Sequence, residues 1–371
     1  MSESDPRALN AGELAVVAAP DLPYLPPSPR RLSPRIGILG TGGIVDAHLD
    51  AYRIAGWSVA ALWNRTRETA EAKAAVYFPD AKVADDWRAV VENPEIDVID
   101  ATLHPEHRVP MVEAALKAGK HVLSQKPFAE DLATAERLVG LARENGVKLA
   151  VNQNGRWAPH FAWMRAAVAA GLIGEVLTAH LSVHWDHAWT AGTTFDEIED
   201  LVLFDFGIHW FDFLASILGD RSRSVIATTS RASRQANKVP LLAQALIRVD
   251  GGQASLAFDG ATMTGARDQC VICGTKGMLT SSGPDLGHQI VRLATAEGVA
   301  EPDLQGTWFN DGFRGAMGEL LCAIEEDREP LNGAEGNFCS LAMAFAAISS
   351  ARIGREVLIG EARSLVAGSR S

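Results

Sequence analysis

The sequence predicts an α/β protein in two parts: a doubly wound parallel sheet, then an α+β domain with a mainly antiparallel, open sheet. Three observations carry that expectation. An apolar run, Ile36 to Leu39, ends in Gly40-Thr41-Gly42-Gly43, and helical periodicity starts directly after it. Apolar runs and amphipathic stretches then alternate as far as Asn152 with short loops, the pattern of a parallel sheet with helices on both faces. Beyond Asn152 several longer alternating segments follow one another without helices between them, which points to antiparallel pairing.

Taken in order, residues 21–34 hold Pro23, Pro26, Pro27, Pro29 and Pro34, so residues 1–34 are expected to form an extended, proline-rich arm. Residues 35–152 are expected to form a Rossmann dinucleotide-binding domain. Its first strand is Ile36–Leu39. Gly40 permits a tight turn, Gly42 lets phosphates approach the backbone, and Val45 stands where a small residue packs helix on strand. The N–H groups and positive dipole end of the following helix suit a pyrophosphate. Helices are expected over Asp46–Ala55, Arg67–Val76, Val109–Ala118 and Asp131–Glu144, and strands over Val59–Trp63, Val98–Thr102, His121–Leu123 and Lys148–Val151. Residues 153–371 form the expected α+β domain for substrate binding and oligomerisation, with a helix over Phe161–Ala170 and strands over Val176–Trp185, Ser224–Thr229, Ala243–Val249 and Gln253–Phe258. Phe204–Leu218 reads as an aromatic-rich helix carrying His209, and residues 311–327 and 337–352 read as helices.

A formal charge of −12 over 371 residues argues against nucleic acid as a partner, because phosphate neutralisation needs a basic face. No apolar run reaches the roughly 20 residues of a membrane span. The first 34 residues carry acids and prolines instead of a basic start and an apolar core, so a cytoplasmic protein is expected. Cys270 and Cys273 make a C-x-x-C, but within a strand residues three apart face opposite ways. The same holds for His184 and His187, and no metal site is expected.

The second strand ends in Asn64-Arg65-Thr66, with no carboxylate to repel a 2′-phosphate and an arginine able to pair with one. That favours NADP; the alternative is NAD, with Asn64 bonding the ribose. Gln125-Lys126-Pro127 follows an apolar strand at the end where open α/β sheets bind ligands, so Lys126 is expected to face the cleft and stabilise an alkoxide. Asp205 and His209 stand four apart, on one face of a helix, where the carboxylate can orient the imidazole; Asp212 offers a second partner. His184-Trp185-Asp186-His187 ends a strand and suits a polyhydroxylated ligand, with Asn154, Arg156, Trp157 and Trp189 as further candidates for the cleft.

The ordered set of motifs resembles the glucose–fructose oxidoreductase/inositol dehydrogenase (Gfo/Idh/MocA) family from Arg35 to about Val357. Gly40-Thr41-Gly42-Gly43-Ile44 with His48 is similar to the family's glycine motif and trailing histidine. Thr102-Leu103-His104-Pro105-Glu106-His107 resembles the Thr-Pro-Asn-x-x-His segment that lines the cofactor, and Gln125-Lys126-Pro127 the Glu-Lys-Pro motif with its catalytic lysine. Asn154 to Pro159 resembles the segment that enters the second domain, and Asp205 with His209 the catalytic Asp-x-x-x-His pair. The resemblance implies cofactor contacts along Gly40–Ile44, Asn64, Arg65, Thr102, Leu103, His104, His107, Gln125 and Lys126. It also implies a homodimer or homotetramer built through the open sheet face. Gln125 departs from the family's acid and Leu103-His104 from its Pro-Asn.

The expected activity is hydride transfer between a secondary alcohol of a sugar, polyol or glycoside and a nicotinamide. Lys126 would stabilise the alkoxide while His209, held by Asp205, takes the proton, or the two would exchange roles. The alternatives are a closed redox cycle that cleaves a glycoside with the cofactor retained, and a nucleotide-sensing regulator on the same scaffold.

Overall fold

In a computed structural model describing residues 14–365, the first sheet is built from strands that each return through a helix. The elements are β1 (Arg35–Leu39), α1 (Val45–Ala55), β2 (Ser58–Trp63), α2 (Arg67–Tyr77), β3 (Lys82–Val83), α3 (Trp87–Val91), β4 (Val98–Ala101), α4 (Pro105–Lys117), β5 (His121–Gln125), α5 (Leu132–Glu144) and β6 (Leu149–Asn152). The strands lie in the order 3-2-1-4-5-6, and every pairing is parallel. The order reverses between β1 and β4, which opens a crevice at the carboxyl ends Leu39 and Ala101. Only the short β3 and α3 escape the sequence pattern, because a two-residue strand shows no alternation. Helix α4 starts at Pro105, earlier than expected, since proline suits a first helical turn whose N–H groups lack partners anyway.

The second part comprises α6 (Pro159–Ala169), β7 (Val176–His184), α7 (Ile208–Leu218), β8 (Ser222–Ser230), β9 (Leu242–Val249), β10 (Gly252–Asp259), β11 (Arg267–Gly274), β12 (Gly277–Asp285), β13 (His288–Thr295), β14 (Gly298–Ala300), α8 (Trp308–Glu325), α9 (Phe338–Ile353) and β15 (Val357–Leu358). Nine strands form one sheet in the order 14-13-12-11-7-10-9-8-15. All pairs are antiparallel except β7 with β10. Alternation decides the two faces: along β9, Ala243, Ala245, Ile247 and Val249 are buried while Leu246 is exposed. Helices α6, α7 and α9 pack on the buried side. Ile226, Leu246, Met278 and Ile290 stand exposed on the other. Cys270 is buried and Cys273 half-buried, on opposite faces of β11, as strand alternation requires. Among the described residues no helix is long and apolar enough to cross a membrane.

Two expectations are corrected, and the arm makes contacts that the sequence does not show. The helix expected over Phe204–Leu218 is interrupted: Leu201–Phe206 form a π-helical turn and α7 begins only at Ile208. Gly207 closes that turn by donating its N–H to Val202 O at 2.8 Å. A Cβ at Gly207 would lie 2.6 Å from the same oxygen, so only glycine fits. Helix α8 belongs sequentially to the second part yet packs on the first, where Phe313, Met317 and Leu320 share a core with Val45, Leu49 and Tyr52 of α1. The described part of the arm is extended as expected but is pinned along its length. Val17 N–H donates to Val299 O at 2.9 Å, Gln305 N–H to Tyr24 Oη at 2.8 Å, and the N–H groups of Arg31 and Leu32 to the Glu325 carboxylate at 2.7 Å.

Candidate active site

A cavity of about 1080 Å³ runs from the glycine turn across the carboxyl ends of the first sheet to the β12–β13 turn. At the turn, Gly40 has φ +99°, and a Cβ there would meet Thr102 Oγ1 at 2.8 Å. Gly42 and Gly43 face open space with nothing within 4 Å of an added Cβ. The bare backbone at these two positions and the start of α1 form a cradle that fits a pyrophosphate. Gly42, Gly43, Ile44, Asn64, Arg65, Thr102, Leu103, His104, His107 and Gln125 all line the cavity, whereas Thr41 is buried behind it. Asn64 is already committed: Oδ1 accepts from Thr41 N–H at 3.1 Å, and Nδ2 donates to Thr69 Oγ1 at 2.6 Å and Thr66 O at 3.1 Å.

Strand β5 delivers Lys126 to the middle of the cavity. Its ammonium donates to Asp205 O at 2.7 Å and to Asp205 Oδ2 at 3.2 Å. The side chains are 13% and 8% exposed, so the charges meet with little solvent between them. The expected Asp205–His209 bond does not form. The π-turn takes Asp205 off the face that His209 occupies, because spacing by four aligns side chains only in an α-helix. His209 Nδ1 is buried without a partner and packs toward Gly155, where an added Cβ would lie 3.3 Å away. The ring lines the cavity, which leaves Nε2 for a ligand. Burial, and then the Lys126 charge, push the imidazole well below its ordinary range, so it is neutral. A neutral proton acceptor beside a charged donor can share one substrate hydroxyl.

Two buried devices hold this centre. Arg108, on α4, donates to Leu103 O and Pro127 O, and to Phe128 O at 3.2 Å, tying the loop after β4 to the segment that carries Lys126. Burial lowers its guanidinium to about 9. Beneath Lys126, Asn152 Nδ2 donates to Gln125 Oε1 at 2.6 Å and to His48 Nε2 at 3.2 Å. His48 Nδ1 donates to Asp100 Oδ2 at 2.7 Å, and Tyr52 Oη donates to the same oxygen at 2.7 Å. Gln125 therefore anchors a polar chain, and Asp205 provides the anion beside the lysine. Neither Arg108 nor the Asn152 link carries a sequence signal, since a buried arginine bound to carbonyls reads like a surface one.

Of the residues expected to meet substrate, Asn154, Trp185, Asp186 and His187 line the cavity, with Trp189. Arg156 does not. It forms two bonds to Asp212, at 2.7 and 2.9 Å, in a buried ion pair that also engages the residue expected to serve His209. Trp157 is core: an added Cβ on Gly315 of α8 would lie 2.2 Å from Trp157 Cγ. His184 lies on the outer face of β7, 3.6 Å from Asp259, because alternation turns it away from the side that Val183 occupies. His187 stacks on Trp185, and burial lowers its imidazole to about 4. Phe195, Phe206 and Trp308 complete the wall. Trp308 Nε1 donates to Asn154 Oδ1 at 2.8 Å.

A dinucleotide cradle and a lysine–carboxylate–imidazole group in one cleft fit a nicotinamide-dependent oxidoreductase. Residues 34–153 match the family model described as oxidoreductase family, NAD-binding Rossmann fold (Gfo/Idh/MocA), and residues 161–280 match the Gfo/Idh/MocA C-terminal domain. The chain belongs to the Gfo/Idh/MocA family and is an NAD(P)-dependent oxidoreductase. It is 27% identical over 351 residues to D-apiose dehydrogenase of Paraburkholderia graminis, covering 86% of this chain and 88% of that one. It is 24% identical over 333 residues to inositol 2-dehydrogenase of Rhizobium meliloti, covering 88% and 99%. It shares its fold, with a TM-score of 0.80 at 22% identity over 89% of this chain and 99% of the other, with an oxidoreductase from Agrobacterium radiobacter solved with NAD+, L-tartaric acid and magnesium.

Proposed function

We propose that the protein oxidises a secondary alcohol of a sugar, polyol or glycoside with NADP. The observation that carries the proposal is the Lys126–Asp205 pair with His209 in the same cavity as the glycine cradle. The nicotinamide supplies the two-electron hydride acceptor when bound. The substrate hydroxyl meets the Lys126 ammonium and His209 Nε2. The proton goes to Nε2, the ammonium stabilises the alkoxide, and the carbinol C–H bond breaks with its electron pair, leaving a ketone. No carboxylate raises the basicity of His209, so the stabilisation of the alkoxide by Lys126 bears more of the reaction.

Relatives named for D-apiose and inositol support a polyhydroxylated substrate. NADP is supported by Asn64, whose amide is spent within the protein, and by Arg65, which lines the cavity and has no carboxylate partner among the described residues. A homo-oligomer is supported by Ile226 and Leu246, cross-strand neighbours exposed on the open sheet face, with Met278 and Ile290 exposed further along that face. A cytoplasmic setting accords with Cys270, Cys273, Cys322 and Cys339 as free thiols. The test is nicotinamide absorbance with NADP and with NAD against pooled inositols, sugars and glycosides. Reduction that Lys126→Ala abolishes supports the proposal; reduction that survives in this variant refutes the role of Lys126.

A further inference from the structure

The cavity wall changes character along its length. At the inner end stand Lys126, Asp205, His209 and Asn154. Outward from His209 the wall is a run of rings. Trp185 stacks on His187 at 5.7 Å, His187 meets Phe206 at 4.7 Å, Phe206 meets Phe195 at 5.8 Å, and Phe195 meets Trp189 edge-on at 5.4 Å. The run ends at the mouth, where Trp189 is 59% exposed.

Most of the polar side chains of the same segment are bonded to its own backbone or to the neighbouring loop. Asp186 accepts from Ala188 N–H at 2.8 Å, Thr190 donates to His187 O at 2.8 Å, and Thr193 donates to Thr190 O at 2.7 Å. Asp196 accepts from Gly192 N–H at 3.2 Å and Lys238 N–H at 2.8 Å. The rings are what remain to meet a ligand. Hydroxyls placed there would find few partners, since Trp185 Nε1 and His187 Nδ1 are buried, whereas an aromatic group would gain stacking along the whole run. Charge narrows the choice further. Among the described residues the lysines and arginines lining the cavity are Lys126, matched by Asp205, and Arg65, at the cofactor end. Asp186 and Asp285 line the outer part, so an anionic substituent is repelled.

We infer that the substrate is a neutral aryl glycoside, its sugar at the Lys126–His209 end and its flat apolar aglycone on the Trp185–Trp189 wall. The inference rests on the sugar-oxidation proposal for the inner end.

The test is calorimetric titration of the NADP-loaded protein with matched methyl and phenyl glycosides of glucose, galactose and xylose in both anomers, with cellobiose as a polar comparison. In a configuration that binds, the phenyl member should bind about tenfold tighter than the methyl one, the scale of burying one ring face. Trp189→Ala, a change at an exposed side chain, should bring that ratio below about threefold. Equal affinities in every configuration, no binding by any phenyl glycoside, or cellobiose as tight as the phenyl compound would overturn the inference. The two proposals fail separately. Turnover of a methyl glycoside without phenyl preference sinks the aglycone site alone, and phenyl preference in binding without cofactor reduction sinks the oxidation alone.

Discussion

Lys126 and Asp205 form the ion pair of this site: the ammonium lies 2.7 Å from the aspartate's main-chain oxygen and 3.2 Å from its carboxylate. His209, four positions on, is left without a carboxylate. The π-turn that Gly207 closes sets this division, and it assigns Asp205 to the lysine's charge instead of the histidine's tautomer.

Asp205→Asn should therefore act through Lys126. Loss of the buried anion is expected to lower kcat about 100-fold. It should lower unfolding stability by about 3 kcal/mol, the scale for stranding one member of a buried pair. The acid limb of the pH profile should stay where it is in the native enzyme. A limb that moves would show that Asp205 tunes His209 after all.

His209 stays neutral through the ordinary histidine range because burial and the neighbouring lysine both disfavour its charge. The acid limb of kcat/KM should accordingly lie well below pH 6.5, the ordinary histidine value. The check is a pH series with cofactor saturating. A half-maximal point near the ordinary value would contradict the geometry.

Stability carries its own signature. His160 is buried against Phe161, and burial lowers it to about 3 from an ordinary 6.5. Between those values the unfolded chain binds a proton that the folded chain does not, so stability falls as pH drops below 6.5. The slope is about 1.4 kcal/mol per pH unit for this one group. His160→Phe should remove that slope in urea titrations at successive pH values, and an unchanged slope would place the proton elsewhere.

Arg108 is a positioning residue. Arg108→Met strands the carbonyls of Leu103, Pro127 and Phe128, with an expected cost of about 3 kcal/mol in stability. Because the clamp fixes Lys126 without touching substrate, kcat should fall about tenfold or more while KM moves little. Arg108→Lys should recover part of the kcat. A change confined to KM would instead mean that Arg108 acts on binding.

The parts of the fold that sequence shows are those governed by local periodicity. The run Ile36–Leu39, the bare Gly40–Gly43 turn and the alternation in β9 and β10 are each legible from neighbours in the chain. Lys126 is legible too, because a strand end followed by proline places it at the crevice. Partners chosen across the fold are not legible. Arg156 looks like a cleft residue until Asp212 is seen to hold it from another helix, and Trp157 until Gly315 of α8 is seen against it. The Asp205–His209 spacing misleads for a subtler reason, since one π-turn breaks the periodicity on which the pairing rests.

The most direct test of the account uses a substrate deuterated at the carbinol carbon, with the mass of the reduced cofactor followed over time. The account predicts that the native enzyme places deuterium on the nicotinamide. Lys126→Ala should do so about 100-fold or more slowly while binding cofactor equally well. Reduced cofactor without the label, or labelling undiminished in Lys126→Ala, would contradict the assignment of hydride transfer to this site.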